Sequence, residues 1–179
     1  MGRRLIVLID SGDTLIDEST EVRDENGDVR CARLIPGAKE ALRALRDRGY
    51  PAVLVADGTF NSFERVHRLT GIYDLLTDRV YSETLGVEKP DRAMFECALA
   101  KRGLTLADAG RAIMVGNNLA RDINGANRLG IRSVLLTWSK ARPQYSDAPD
   151  QQPDYRIAEL SELPPLCDQI EDELRRLGI

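Results

Sequence analysis

The strongest constraint on this chain is an apolar run near the N-terminus that ends at an aspartate. Residues 5–9 are five apolar residues without alternation, and Asp10 follows them directly. Such a run predicts a β-strand that is buried on both faces, as in the centre of a parallel sheet. Because ligands bind beyond the carboxyl ends of strands in open α/β sheets, Asp10 is expected at the mouth of a site. There it could act as a nucleophile in phosphoryl transfer, or it could only cap the turn that follows.

Similar apolar runs recur along the chain and alternate with segments of helical periodicity. Further strands are predicted at about 51–56, 78–82, 112–115, 133–136 and 155–157. Helices are predicted at about 37–48, 60–70, 91–102, 119–129 and 162–177. This alternation predicts an α/β fold, a Rossmann-like, doubly wound and mostly parallel sheet with helices on both faces. Since the chain has 179 residues and no internal repeat, residues 1–179 are expected to form a single domain.

Residues 17–34 interrupt the alternation of strands and helices. Asn26-Gly27 lies there between two short, charged segments that alternate in polarity. Asn-Gly in this setting is a strong signal for a β-hairpin. We therefore expect a hairpin flap that stands over the mouth of the site near Asp10.

Polar residues follow the predicted central strands and precede one of the helices. They are Asp57, Gly58, Thr59, Lys89, Asn117 and Asp122. Carboxylate and carboxamide oxygens are ligands that suit Mg²⁺ better than zinc. A lysine can hold a phosphate as a point charge. Together with Asp10, these residues indicate a site for Mg²⁺ and a phosphorylated ligand.

Composition excludes several other classes of protein. A net charge of −4 gives no basic footprint for nucleic acid, and no apolar run approaches the ~20 residues of a membrane span. The three cysteines are scattered, and the only histidine, His67, lies in a helical pattern and is expected at the surface. No secretory signal is recognised, because the first apolar run stops at Asp10. These features predict a cytoplasmic protein without a zinc or disulfide framework.

Three motifs in order resemble those of the haloacid dehalogenase (HAD) superfamily of phosphohydrolases. The first is Asp-x-Asp-x-Thr after an apolar strand, matched by residues 10–14. The second is a lysine before proline, matched by Lys89-Pro90. The third is Gly-Asp-x-x-x-x-Asp-Ile-x-Gly-Ala, matched by residues 116–126. The resemblance covers about residues 5–137 and implies a HAD-like core.

The resemblance also implies a reaction and a role for each matching residue. It implies a Mg²⁺-dependent phosphohydrolase that works through an aspartyl-phosphate intermediate. Asp10 would be the nucleophile and a metal ligand, and Gly12 would supply a backbone carbonyl to the metal. Asn117, which replaces the usual aspartate, and Asp122 would complete the metal site. Lys89 would neutralise the phosphate and the nucleophile.

Two further positions depart from the family pattern. Gly12 stands where the family has the aspartate that serves as general acid and base. Asp13 could take that role only if Gly12 lets the loop bend differently. Ala56 stands where the family has a phosphate-binding serine or threonine. Asp57, which follows Ala56, would repel the phosphate beside it unless its carboxyl is protonated or faces away. Thr59 could supply the lost hydroxyl.

The gaps between the motifs are too short for the cap domain that the family usually carries. The first gap holds only the flap, and residues 58–89 hold one helix and one short strand. The resemblance is therefore to capless members, whose open sites rely on oligomer partners or large substrates for closure. It implies a phosphorylated small molecule or a bulky phosphate ester as substrate, and a homo-oligomer.

Two other functions stay open. Gly12, Ala56 and Asn117 each lack a chemical group that the family usually has at the site. A catalytically impaired HAD domain that binds a phosphorylated ligand or a protein partner is therefore the alternative to a phosphatase. Hydrolysis of a carbon–halogen bond is a third hypothesis, because the dehalogenases of the superfamily also lack the second aspartate. Those dehalogenases, however, carry a helical cap, for which this chain has no room.

Overall fold

Six parallel strands form the central sheet of the computed structural model, which describes residues 5–178. They are β1 (Ile6–Ile9), β4 (Ala52–Ala56), β5 (Asp78–Tyr81), β6 (Ala112–Gly116), β7 (Arg132–Leu136) and β8 (Tyr155–Ile157). Their order across the sheet is β5-β4-β1-β6-β7-β8, and every neighbouring pair is parallel. Two more strands, β2 (Ile16–Arg23) and β3 (Val29–Leu34), pair antiparallel as the predicted flap.

Helices connect the strands and cover both faces of the sheet. They are α1 (Ala38–Asp47), α2 (Phe60–Thr70), α3 (Ser82–Leu85), α4 (Arg92–Ala100), α5 (Asn124–Arg128) and α6 (Leu163–Arg176). Short 3₁₀ helices lie at Tyr73–Leu75, Leu106–Arg111, Pro149–Gln151 and Leu160–Glu162. The doubly wound α/β architecture expected from the sequence is confirmed.

The side chains of the continuous apolar run of β1 contribute to two separate hydrophobic cores. Val7 and Ile9 belong to the core that includes residues of α1 and α6, whereas Ile6 and Leu8 belong to the core under α4. Successive strand residues point to opposite faces, so a strand covered on both sides must be apolar at every position. Each such side chain adds about 1.5–3 kcal/mol relative to an exposed one, which anchors β1 at the centre of the sheet.

The strand order reverses at β1, and this reversal determines where the site lies. The chain passes from β1 outward to β4 and β5, and then returns to β6 on the other side of β1. A crevice forms outside the carboxyl ends of the strands at such a switch point. Asp10 follows β1 directly, so its side chain starts from the middle of this crevice.

The flap docks onto α2 through a small polar cluster. The Asp28 carboxylate accepts hydrogen bonds from the hydroxyls of Thr59 at 2.7 Å and Ser62 at 3.1 Å. The backbone N–H of Val29 donates to the Ser62 hydroxyl at 2.9 Å. These bonds hold the flap over the carboxyl edge of the sheet.

Within residues 5–178 no cap domain is inserted between the motifs. None of the helices in this range has the length and apolar character that a membrane span requires.

Two helix predictions need correction. The segment predicted as one helix over 119–129 is divided into a π-helical turn at Leu119–Ile123 and then α5. Helix α4 begins at Arg92, because the Asp91 side chain accepts a hydrogen bond from the Ala93 N–H at 2.8 Å and caps it. The helix predicted over 91–102 is therefore shorter and spans Arg92–Ala100.

His67 is buried, and the prediction of a surface position is wrong. Its ring lies on the inner face of α2 with no exposed area, and its Nε2 is 3.0 Å from the hydroxyl of Ser11. Burial first, and then the charge of Arg79, lower its pKa to about 4. The imidazole is therefore neutral at pH 7 and supports the loop that follows Asp10.

The neutral state of His67 makes the stability of the fold depend on pH. The unfolded chain binds a proton at this histidine below about pH 6.5, whereas the folded chain does so only near pH 4. We expect His67 to contribute stability that is full above pH 6.5 and is lost as the pH falls towards 4. Between pH 7 and pH 5 the loss is about 2 kcal/mol in the free energy of unfolding.

Urea unfolding of the wild type and of His67→Gln at pH 7 and pH 5 measures this contribution. Glutamine keeps a hydrogen-bonding group near Ser11 but does not titrate. The drop in stability between the two pH values should be smaller in the variant by about that amount. Equal drops in both proteins would contradict a neutral, buried His67.

Candidate active site

A cavity of about 280 Å³ lies between the carboxyl edge of the sheet and the flap. Eight of the nine site residues predicted from the sequence line it, namely Asp10, Gly12, Asp57, Gly58, Thr59, Lys89, Asn117 and Asp122. The ninth, Asp13, is not part of the lining. The fold thus brings together residues from four separate segments of the chain, after β1, after β4, before α4 and after β6.

Asp10 lies at the base of the cavity on rigid backbone. Its N–H donates to the carbonyl of Val115 at 2.9 Å, which continues the pairing of β1 with β6 past the end of the strand. One carboxylate oxygen, Oδ1, accepts a hydrogen bond from Lys89 Nζ at 2.6 Å. The other oxygen, Oδ2, lies 3.4 Å from the hydroxyl of Thr14. Oδ2 is therefore weakly held and suited to react.

Lys89 joins two carboxylates inside the protein. Its side chain is 2% exposed, and its ammonium donates to Asp10 Oδ1 at 2.6 Å, Asp122 Oδ1 at 2.7 Å and the Val55 carbonyl at 2.8 Å. An ammonium has three protons, so these three acceptors satisfy it completely. The arrangement fixes the orientation of the Asp10 carboxylate.

The pKa values of both Lys89 and Asp122 are raised, for different physical reasons. Burial by itself would lower the pKa of Lys89, but the charges of Asp10, Asp122 and Asp57 outweigh burial and raise that pKa above its ordinary value. Burial raises the pKa of the Asp122 carboxyl, and the Lys89 ammonium opposes this rise. Lys89 therefore stays protonated at neutral pH.

Asp122 depends on a glycine at the end of β6. The π-helical turn returns the Asp122 side chain to the strand end, where its Oδ2 accepts the N–H of Asn118 at 3.0 Å. A β-carbon on Gly116 would overlap the Asp122 carboxylate. Glycine is needed at this position because a larger residue would not fit, and not because the backbone conformation requires it.

Asn117 has a buried polar atom without a protein partner. The residue is 5% exposed, and its Nδ2 forms no hydrogen bond within residues 5–178. A buried carboxamide on a cavity wall is costly unless it binds something. Since amide nitrogen and oxygen exchange places by a simple flip, the oxygen can face the same position. Asn117 is thus suited to ligate a metal.

The donor set fits Mg²⁺. Carboxylates of Asp10 and Asp122, the carboxamide of Asn117 and the carbonyl of Gly12 are hard oxygen ligands. Among residues 5–178 no three His, Cys, Asp or Glu side chains are grouped to hold a metal by themselves. That finding agrees with a site in which half of the donors are carbonyl oxygens.

Asp57 is held by two protein donors. Its Oδ1 accepts the backbone N–H of Lys89 at 2.9 Å, and its Oδ2 accepts from Arg121 Nη1 at 2.9 Å. Arg121 also pairs with Glu88 at 3.1 Å. The guanidinium compensates the carboxylate, which reduces the repulsion that an unpaired Asp57 would exert on a phosphate.

Gly58 and Thr59 lie on the cavity wall with their donors engaged. The Gly58 N–H donates to the Ser82 hydroxyl at 2.8 Å, and the Thr59 hydroxyl donates to Asp28 in the flap at 2.7 Å. Thr59 is also the cap of α2. Its hydroxyl therefore docks the flap, and its use as a phosphate ligand stays a prediction.

Asp13 is directed away from the cavity, so the structure does not place it as an acid or base. The residue is 4% exposed and adopts a left-handed φ of 49°. Its Oδ1 accepts the Glu18 N–H at 3.0 Å, and its Oδ2 accepts the Ser139 hydroxyl at 2.9 Å. Both oxygens are thus used to hold the loop and the start of the flap.

Sequence reasoning did not include five charged residues of the cavity wall among the site residues, which are Glu18, Glu21, Arg23, Arg121 and Arg142. Glu18 lies 3.5 Å from Arg142, an ion pair between residues that are far apart in the chain. Partial burial and the charge of Asp13 raise the pKa of Glu18, and Arg142 opposes the rise. No local pattern signals the contact between Glu18 and Arg142, because it depends on how the flap and the loop after β7 meet.

The chain belongs to the haloacid dehalogenase-like hydrolases, since the model of that family matches residues 7–130. It is similar to glyceraldehyde 3-phosphate phosphatase of Pyrococcus furiosus, with 30% identity over 79% of this chain and 56% of the relative. It is also similar to ribulose-1,5-bisphosphate 5-phosphatase of Halopiger xanaduensis, with 33% identity over 73% of this chain and 55% of that protein. The chain spans about half the length of these curated relatives.

A solved structure supports the fold independently. The crystal structure of a HAD phosphatase from Thermococcus onnurineus superposes with a TM-score of 0.74, covering 90% of this chain and 97% of that one. The two sequences are 19% identical, so this likeness concerns the fold alone.

Removing the Lys89 ammonium should destabilise the fold. In Lys89→Met the carboxylates of Asp10 and Asp122 lose their shared partner, and a buried, uncompensated charge typically costs about 3–5 kcal/mol. We expect a loss of this size in the free energy of urea unfolding, measured at pH 7 with EDTA present. Adding Asp122→Asn should restore part of the loss, because it removes one of the two charges.

Lys140→Met is the matched control, since Lys140 is an exposed lysine outside the cavity lining. It should change the free energy of unfolding by no more than about 0.5 kcal/mol. A Lys89→Met protein as stable as this control would show that the buried ion pairs do not hold the site together.

Proposed function

We propose that this chain is a Mg²⁺-dependent phosphatase that cleaves a phosphate monoester through a phosphoaspartate on Asp10. The observation that carries the proposal is the pairing of Asp10 Oδ1 with Lys89 at 2.6 Å while Oδ2 remains weakly held at the cavity base. A fixed carboxylate beside a buried ammonium can approach a phosphate without the full repulsion between anions.

The residues of this chain act mainly by position and charge. Asp10 Oδ2 bonds to phosphorus as the bond from phosphorus to the ester oxygen breaks and the alcohol leaves, while Lys89 holds the carboxylate in place and offsets its charge. Arg121 and Arg142 line the cavity wall and add positive charge for an anionic substrate. Water then releases phosphate from the phosphoaspartate and regenerates Asp10. A bound Mg²⁺, held by Asp10, Gly12, Asn117 and Asp122, would neutralise phosphate charge and polarise the phosphoryl oxygens.

The charge balance of the cavity supports a cation as part of the site. The lining has five carboxylates and four basic side chains, so one net negative charge remains when all are ionised. A phosphate dianion binds poorly to such a surface. One divalent cation reverses the sign to a net positive charge.

A small phosphorylated metabolite is the proposed substrate class. The relatives named above are phosphatases of three- and five-carbon sugar phosphates by their names, and the cavity of about 280 Å³ suits a ligand of modest size. The flap, and not a cap domain, supplies the cover. Assembly into a homo-oligomer and a cytoplasmic location stay predictions.

A second candidate is a domain that binds a phosphorylated ligand without turnover. The observation in its favour is that Gly12 stands in place of the usual acid and base, while both carboxylate oxygens of Asp13 are bound within the protein by the Glu18 N–H and the Ser139 hydroxyl. Such a domain would bind Mg²⁺ or phosphate but release none from an ester.

Phosphate release from 4-nitrophenyl phosphate, with and without Mg²⁺, distinguishes the candidates. The wild type should show metal-dependent turnover, and Asp10→Asn should fall to the rate of a protein-free blank because the nucleophile is lost. Asp74→Asn, a change of the same kind at an exposed aspartate outside the cavity lining, should retain the wild-type rate.

Circular dichroism of Asp10→Asn checks that the loss is chemical and not a loss of fold. Turnover that survives in Asp10→Asn would contradict the mechanism. Mg²⁺ binding without any turnover in the wild type would favour the binding domain. Halide release from a small haloacid, without phosphate release, would favour carbon–halogen hydrolysis.

A further inference from the structure

The carboxyl group of Glu18 occupies the space beside Gly12. A β-carbon built on Gly12 would overlap Oε1 of Glu18 and lie 2.8 Å from its carboxyl carbon. The backbone of Gly12 is outside the left-handed region, so conformation does not exclude a side chain there. The flap therefore delivers a carboxyl group to the place that a short side chain at position 12 would fill, two residues from Asp10.

Asp13 fixes the chain that carries Glu18. The Glu18 N–H donates to Asp13 Oδ1 at 3.0 Å, and Asp13 is itself buried and held by the Ser139 hydroxyl at 2.9 Å. These bonds connect the loop after β1, the first residues of β2 and the loop after β7. The position of Glu18 beside Gly12 is thus built by the fold and does not depend on the flap tip.

The other carboxylates of the cavity are committed to cations. Asp10 and Asp122 share the Lys89 ammonium, Asp57 pairs with Arg121, and Glu21 pairs with Arg23; all of these partners are in the described part of the chain. A carboxylate held in such an ion pair is a poor proton carrier, because the neighbouring cation favours its charged form.

Glu18 differs from these carboxylates. Its Oε2 forms an ion pair with Arg142 at 3.5 Å, the long limit of a hydrogen bond, while Oε1 faces Gly12 and accepts no hydrogen bond within residues 5–178. Its side chain is 42% exposed, so it can exchange protons with solvent and with a substrate in the cavity. Its geometry leaves one carboxyl oxygen, beside Gly12, free to accept or give a proton.

We propose that Glu18 is the general acid and base of the phosphatase reaction, supplied by the flap in place of a side chain at position 12. This inference rests on the proposed function. As Asp10 Oδ2 bonds to phosphorus, the bond from phosphorus to the ester oxygen breaks, and the Glu18 carboxylic acid gives its proton to that oxygen. The Glu18 carboxylate then takes a proton from the water that attacks the phosphoaspartate. Phosphate leaves, Asp10 is regenerated, and Glu18 is protonated again.

The dependence on the leaving group separates this role from a structural one. A general acid matters for a poor leaving group such as an alkoxide, and little for 4-nitrophenolate. In Glu18→Gln we expect kcat/KM for glycerol phosphate to fall by about 10²–10⁴, and kcat/KM for 4-nitrophenyl phosphate to fall by less than about tenfold. A merely structural role would lower both values equally. Glu25→Gln, an exposed flap glutamate outside the cavity lining, is the control and should change neither.

A relocated carboxyl tests the position directly. Glu18→Ala removes the group and opens the space at Gly12, and adding Gly12→Asp places a carboxyl there from the other side. The double variant should recover at least tenfold in kcat/KM for glycerol phosphate over Glu18→Ala, an order of magnitude within the typical range of ~10²–10⁴ for an acid or base. Neither variant changes a residue of the Lys89 ion pairs, which are formed with Asp10 and Asp122.

The outcomes distinguish the two proposals. If Glu18→Gln keeps the wild-type ratio of the two kcat/KM values while turnover still requires Asp10, the role of Glu18 is overturned and the phosphatase proposal stands. If the wild type shows no Asp10-dependent turnover with either ester, both proposals fail. A selective loss for glycerol phosphate, with recovery by Gly12→Asp, supports the proton-transfer role.

Discussion

The buried ammonium of Lys89 is the interaction on which the site depends. It binds a carboxylate that follows β1, a carbonyl of β4 and a carboxylate from the turn after β6. These three elements are adjacent only because the strand order reverses at β1. A charge this deeply buried is tolerated only when it is fully paired, so the lysine and its acceptors must be positioned together. The fold and the site therefore depend on the same requirement, which is that the Lys89 ammonium be paired with these acceptors.

Near Lys89, two glycines leave room for carboxyl groups from other parts of the chain. Gly116 leaves room for the Asp122 carboxylate against the strand end, and Gly12 leaves room for a carboxyl group that arrives from the flap. In both cases a side chain from elsewhere fills the volume that the glycine leaves open. The flap is thus a wall of the cavity as well as its cover, and its docking on α2 through Asp28 fixes that wall.

The sequence was sufficient for the parts of the molecule that depend on local patterns. The apolar runs of β1, β4 and β6 predicted strands buried on both faces, and Asn26-Gly27 predicted the hairpin that became the flap. Motif order then predicted which polar residues would meet at the carboxyl edge. These features are encoded within a few residues of one another, and for that reason they could be recognised.

Contacts between distant segments could not be predicted in the same way. His67 lies in an ordinary helical pattern, and only the folded chain brings Ser11 within 3.0 Å of it. Asp13 is expected to act as acid and base only if Gly12 lets the loop bend differently, whereas in the folded chain its Oδ2 accepts a hydrogen bond from Ser139, 126 residues away. The position of Glu18 depends on how the flap leaves the loop after β1, which no spacing in the sequence specifies.

The most direct test of the central claim is the mass of the peptide that contains Asp10 in an acid-quenched reaction with 4-nitrophenyl phosphate. A nucleophilic Asp10 predicts that this peptide gains the mass of one phosphoryl group, and that hydroxylamine, which cleaves acyl phosphates, removes it. Steady turnover with no phosphoryl group on this peptide, or with one bound to a different residue, would contradict the account.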